Sequence, residues 1–161
     1  MVVVHFFTLN FHQLEVNMEN LERLLIIDDE TAILEVYSSF FKKRGYIVDT
    51  ATNGIDGIEL LKHNKYNVAI IDISMPKMDG IAVSKHIKDN FSNTDTIIIT
   101  GHGEKEDAIN AINVGVSAWF EKHGLRLETL HDKIKELINN YSVENIGKIL
   151  SSINFGETDD K

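Results

Sequence analysis

The chain has 161 residues, of which 43% are hydrophobic and 25% charged, with one proline and no cysteine. That is the composition of a single globular domain, and it excludes a disulfide-stapled fold, a thiolate metal site and a cysteine nucleophile. A balance of 16 Lys and Arg against 25 Asp and Glu gives a formal charge of −9, which argues against direct nucleic-acid binding and favours cations or basic partners.

The first residues, MVVVHFFTLNFHQLEVN, are apolar and aromatic, but they lack the basic start and small-residue cleavage site of a signal peptide. Met18 precedes the first patterned segment, so residues 1–20 read as an extension or an upstream start, and N-terminal mass spectrometry of the native protein decides the point. From Leu21 to Tyr141, short apolar runs alternate with segments of helical period, as in repeated βα units. LLII (Leu24 to Ile27) is the first strand. Glu30 to Arg44 is the first helix, with Ile33, Val36, Tyr37, Phe40 and Phe41 on its apolar face and Gly45 as its stop. YIVDTA is the second strand; Asn53-Gly54 turns the chain, and Ile55 to His63 is a helix with Ile58 and Leu61 inward. VAII, ending at Asp72, is the third strand. In SMPKMDG, Pro76 fixes a turn and Asp79-Gly80 opens the helix Ile81 to Asn90. TIIIT, ending at Thr100, is the fourth strand. Lys105 to Val114 is a helix stopped by Gly115. SAWFEK is the fifth strand, and Leu127 to Tyr141 the fifth helix, with a stripe of Leu127, Leu130, Ile134, Leu137, Ile138 and Tyr141. Residues 142–161 hold Val143, Ile146, Leu150 and Ile153 at helical spacing and read as a tail or a short helix, too short for a DNA-binding effector domain.

Runs such as LLII and VAII are apolar on both faces, which marks central strands of a parallel sheet covered by helices on each side. With right-handed crossovers the simplest architecture is a doubly wound α/β sheet, whose functional crevice lies beyond the carboxyl ends of the strands. At those ends stand Asp28 and Asp29, Asp72, Thr100 and Lys122. Each alone reads as a helix cap or a surface charge, but together they converge on one sheet edge. Two carboxylates about 4 Å apart repel by roughly 4 kcal/mol at an effective dielectric of 20, so three of them require a cation or shifted pKa values. Oxygen ligands without His or Cys suit Mg²⁺ or Mn²⁺. A metal, an amine and a hydroxyl around one carboxylate form a cradle for phosphoryl transfer to that carboxylate.

LLIIDDE, AIIDISMPKMDG, IIIT and AWFEK, in that order, resemble the CheY-like receiver domain of bacterial two-component response regulators. The resemblance implies a flavodoxin-like (βα)5 fold with strand order 2-1-3-4-5. It implies that Asp72 accepts a phosphoryl group from a phosphohistidine on a sensor histidine kinase or a phosphotransfer protein. Asp28, Asp29 and Asp72, with the backbone carbonyl of Ser74, would hold Mg²⁺, Asp29 more directly than Asp28. Thr100 and Lys122 would contact phosphoryl oxygens, and Trp119 would change rotamer with Thr100. Trp119 reads as core without the family and as a switch with it. The protein would then be a cytoplasmic phosphoacceptor regulator rather than an enzyme. Its signal would leave through the face of the fourth helix, fifth strand and fifth helix, to a protein target or onward in a relay.

The sequence departs from the family pattern where His123, not proline, follows Lys122; a cis bond there would cost about 2.5–4 kcal/mol. Ser74 and His102 stand where the family flanks the path of the water that hydrolyses the acyl phosphate, and they read equally as polar loop residues. The seven histidines form no His-x-x-x-His pair, so zinc is not expected. A phosphatase of the haloacid-dehalogenase type would need a second Asp two residues after the nucleophile, where Ser74 stands. A nucleotide or flavin site at Gly101-x-Gly103 lacks a third glycine and would set a phosphate against Glu104, Glu106 and Asp107. The stronger alternative is a receiver-like interaction module that works without phosphorylation.

Overall fold

A computed structural model describes residues 21–101 and 105–140. The expectations placed on residues 1–20, His102, Tyr141 and residues 142–161 lie outside the described residues. The elements follow in strict alternation: β1 (Arg23–Ile27), α1 (Thr31–Lys42), β2 (Ile47–Ala51), α2 (Gly54–His63), β3 (Val68–Asp72), α3 (Gly80–Asn90), β4 (Asp95–Thr100), α4 (Lys105–Val114), β5 (Ala118–Glu121) and α5 (Leu127–Asn140). All pairings are parallel and the strand order is β2-β1-β3-β4-β5. The doubly wound five-stranded α/β fold is therefore the one expected.

The sheet divides two apolar layers. Leu24, Ile26, Val68, Ile70, Ile97 and Ile99 pack under Leu34, Tyr37 and Phe41 of α1 and Leu130, Ile134 and Leu137 of α5. Leu25, Ile27, Ala69, Ile71 and Ile98 pack under Leu61 of α2 and Val83 and Ile87 of α3, and α4 packs beside α3. Successive strand residues thus feed opposite layers, which is why the runs Leu24–Ile27, Val68–Ile71 and Ile97–Ile99 are apolar on both faces.

The helix starts have local causes. Asn53 caps α2 by accepting from the Asp56 amide at 3.0 Å, and Asp79 caps α3 by accepting from the Ala82 amide at 2.8 Å. Gly54 is therefore the first helical residue, not a turn residue. Glu30 is the N-cap of α1 rather than its first residue, and Lys43 its C-cap. The inward stripe of α1 is Leu34, Tyr37, Ser38 and Phe41, with Ile33 and Phe40 half-buried. Val36, expected inward, is 55% exposed; position 36 lies about 100° from position 37 on the helix, outside the face that the sheet covers. On α5 the expected stripe is found, with Leu130, Ile134 and Leu137 buried and Leu127 and Ile138 packed at its margin. In α2, Leu61 is buried as expected while Ile58 is only half-buried, because Gly57 makes the close approach to Ile27 instead.

Candidate functional site

Parallel register sets the strand ends level with one another. Ile27 pairs with Ile71, so Asp28 emerges beside Asp72; Thr100 pairs with Glu121, and the Lys122 amide donates to the Thr100 carbonyl at 2.7 Å. β3 continues into a loop where Ser74 is exposed, Pro76 turns the chain and Lys77 takes a left-handed φ of 72°. That loop closes back on the strand end: the Gly80 amide donates to the Ile73 carbonyl at 3.0 Å. A Cβ at position 80 would run into the carbonyl oxygen of Asp72 and lie 2.9 Å from Cα of Ile73, so only glycine lets α3 start against the strand that carries Asp72.

The cluster read from the sequence forms. Asp28 and Asp72 are each 4% exposed, while Asp29 faces solvent. Each of these three offers one carboxylate oxygen to a group whose atoms lie within 4.8 Å of one another. Lys122 closes the cluster, with Nζ 2.8 Å from Asp28 Oδ2, 3.1 Å from Asp72 Oδ1 and 2.9 Å from Glu30 Oε1. Its contact with Asp72 is an ion pair, and Asp72 Oδ1 is buried without a hydrogen-bond partner. Thr100 is wholly buried, and its Oγ1 also has no partner. An unpaired buried hydroxyl costs roughly 1–3 kcal/mol, so Thr100 Oγ1, at the strand end next to an ion-paired carboxylate oxygen that also lacks a hydrogen bond, marks a site kept ready for a ligand rather than optimised for stability.

The charges reflect this crowding. Burial pushes the Asp72 carboxyl above its usual range, the Asp28 and Asp29 carboxylates add to the rise, and Lys122 offsets only part of it. Burial alone would lower the Lys122 ammonium, but its contacts with Asp28, Glu30 and Asp72 outweigh that and hold it above the usual lysine range. Lys122 stays charged, and the carboxylates around it still outnumber it. The buried oxygen of Asp72 that accepts no hydrogen bond and the two further carboxylates beside it fit a hard divalent cation, which would relieve their repulsion.

Trp119 is half-buried, pairs with Ile98 and packs against the layer beneath α2 and α3. Thr100 lies two residues along from Ile98 and so points to that same layer. Trp119 is thus both a core residue and a neighbour of the Thr100 side of the sheet. Among the described residues there is no cis peptide bond, so Lys122–His123 is trans, and Lys122 still reaches the cluster without a following proline. Glu30 was not among the expected site residues. Its signal was only a third acid after Asp28 and Asp29, which a helix start explains equally well. A cleft of about 440 Å³ between the loops that follow α2 and α3 lies away from this cluster, lined by Lys65, Tyr66, Asn90 and Phe91 among others. Among the described residues no helix is long and apolar enough to cross a membrane.

The response regulator receiver domain model matches residues 24–135. The chain is 31% identical over 100 residues to the transcriptional regulatory protein DltR of Streptococcus agalactiae, covering 62% of this chain and 45% of that protein. It is 31% identical over 99 residues to the response regulator SaeR of Staphylococcus aureus, covering 62% and 43%. The chain therefore spans under half the length of these relatives. Among solved structures, a CheY-like receiver domain protein from Methanospirillum hungatei superposes with a TM-score of 0.73 at 28% identity, covering 80% of this chain and 99% of that one. The response regulator TrrA of Thermotoga maritima, solved in complex with Mg²⁺ and BeF, gives 0.66 at 26% identity, covering 73% and 99%. The residues that the family model matches, 24–135, carry the five strands and the acidic strand ends, and the chain belongs to the response regulator receiver domain family of two-component systems.

Proposed function

We propose that Asp72 is the phosphoacceptor of this receiver and that phosphorylation requires Mg²⁺. The observation that carries the reading is the meeting, at one sheet edge, of a buried carboxylate oxygen without a hydrogen-bond partner, a charged ammonium 3.1 Å from it and a buried hydroxyl without a partner at the next strand end. A receiver domain is a regulator rather than an enzyme that turns over an external substrate, so the reaction is stoichiometric. An Asp72 carboxylate oxygen attacks phosphorus, and the P–N bond of a phosphohistidine on a kinase or phosphotransfer protein breaks. The imidazole nitrogen leaves with the electron pair and takes up a proton. Lys122 offsets the charge that develops on the phosphoryl oxygens, and Thr100 Oγ1 donates to one of them. Asp28, Asp29 and Asp72, with the carbonyl of Ser74, would hold the Mg²⁺, which neutralises charge between acceptor and donor. Ser74 and His102 would bear on the lifetime of the product; Ala at either position should alter the dephosphorylation rate.

Once made, the phosphoryl group favours the arrangement in which Thr100 turns toward it, and Trp119 follows on the same side of the sheet. The output face would be α4, β5 and α5, where Ile109 and Ile112 stand exposed on α4. The acidic balance of the chain keeps nucleic acid off this domain itself, while the names of DltR and SaeR make control of transcription a fitting output of the system. The cytoplasm, where kinase and donor would meet it, is the matching location.

The test is incubation with acetyl phosphate and Mg²⁺, comparing native protein with Asp72→Ala. An acid-stable adduct that is labile to base and hydroxylamine is expected on the native chain alone. Its absence from the native chain sinks the acceptor reading and leaves a receiver-like docking module.

A further inference from the structure

Glu30 is the N-cap residue of α1, yet its side chain makes no capping hydrogen bond. A polar side chain in that place normally accepts from the second or third amide of its own helix. Here it crosses instead to the loop after β5, where Oε1 accepts a hydrogen bond from Lys122 Nζ at 2.9 Å. The Glu30 amide donates to Asp28 Oδ1 at 2.9 Å, so the backbone is anchored while the side chain remains 61% exposed. The helix forgoes a cap, and the lysine of the site gains a third carboxylate.

We propose that Glu30 is a positioning residue that competes with the phosphoryl group for Lys122 and yields the ammonium when Asp72 is phosphorylated. The proposal rests on the acceptor role of Asp72. An ammonium has three N–H donors, and three carboxylates surround this one within 3.1 Å. The contact with Asp72 is an ion pair only, so a phosphoryl oxygen that arrives on Asp72 competes with Asp28 and Glu30 for the ammonium. Asp28 is buried and held by the Glu30 amide. Asp72 becomes part of the acyl phosphate and ceases to be a carboxylate. Glu30 alone of the three is solvated, so its side chain swings into water at little cost. Until it does, its charge also stands at the mouth of the site against an incoming anionic donor.

The experiment compares Glu30→Gln and Glu30→Ser with the native chain, using acetyl phosphate and Mg²⁺ and Asp72→Ala as the negative control. Asp72 forms the new O–P bond while the P–O bond to the acetyl group breaks, and acetate leaves with the electron pair. Glutamine keeps an acceptor oxygen without the charge; serine removes the reach and supplies a helix cap. Both variants should gain phosphoryl roughly two- to fivefold faster than native, the range an exposed ion pair supports, with serine the faster. In the absence of donor, acylation of the Lys122 amine by a succinimidyl ester, read by peptide mass spectrometry, should rise about twofold or more in both. A Glu30 that served only the helix would move neither reading, and Glu30→Ser would then show a raised melting temperature and nothing else. Phosphoryl uptake at or below the native rate in both variants overturns the proposal and leaves the acceptor reading intact. No adduct on the native chain overturns the acceptor reading and this proposal with it.

Discussion

Asp72 is a carboxylate in an unfavourable place, buried and beside two other acids, with one ammonium to balance it. Its raised pKa has a consequence for stability. Because the folded state holds that proton more tightly than the unfolded chain, the contribution is favourable below the unfolded value near 3.8 and is lost as pH rises through the folded one. At neutral pH the ionised carboxylate therefore weakens the fold. Asp72→Asn should raise the Tm of the metal-free protein by about 3–5 °C, which is roughly 1 kcal/mol in a domain of this size, while abolishing adduct formation. Calorimetry without Mg²⁺ checks the first outcome and mass spectrometry the second; a lower Tm would mean that the Lys122 pair outweighs the repulsion. That Asp28, Asp29, Asp72, Thr100 and Lys122 gather at one edge was legible in the sequence, because strand ends of a parallel sheet share an edge whatever the details of packing. Glu30 was not legible, because a side chain's choice between its own helix and a distant lysine is made by three-dimensional distance.

The orientation of a helix about its axis is set by the sheet it packs against. Leu34 and Val36 are both apolar, and the helical period admits either, but the sheet covers the stripe through Leu34, Tyr37 and Phe41. Leu34→Ala should cost about 2–5 kcal/mol; Val36→Lys, on the exposed side, should stay within about 0.5 kcal/mol. Urea titrations of the two variants check the contrast, and equal losses would contradict the assigned face. The loop from Asp72 to Gly80 depends on a backbone-to-backbone approach that no side-chain rotamer can relieve. Gly80→Ala should lower stability by roughly 2 kcal/mol and slow phosphoryl uptake, because the displaced backbone is that of Asp72, the proposed acceptor. A stable variant with native uptake would show that α3 can retreat without moving Asp72.

For the molecule as a whole, the two core layers carry tyrosines whose ionisation the fold resists. Burial, with help from the neighbouring Glu22 carboxylate, pushes the Tyr46 phenol up to about 12. Tyr66 is raised by burial and by its hydrogen bond to Asp49 Oδ2 at 2.9 Å, and Tyr37 by burial. For an acid whose folded pKa lies above its unfolded value, the stability is complete below the unfolded value near 10 and declines as pH rises toward the folded one. Stability should therefore fall steadily between pH 10 and about 12, and Tyr46→Phe should make that fall shallower. Denaturant midpoints across this range check it, and an unchanged slope in Tyr46→Phe would assign the alkaline loss to other groups.

The sequence by itself determined the alternation of strand and helix, the parallel sheet and the acidic edge. Periodicity of apolar residues and the chemistry of strand ends are local properties, and parallel pairing leaves few ways to assemble them. Only the tertiary structure decided which flank of α1 meets the sheet, that Gly80 lies against the backbone of Asp72, and that Lys122, followed by a trans bond to His123, is shared among Asp28, Asp72 and Glu30. Those are matters of a few ångströms between segments up to 92 residues apart, and burial and electrostatics settle them only once the chain is folded.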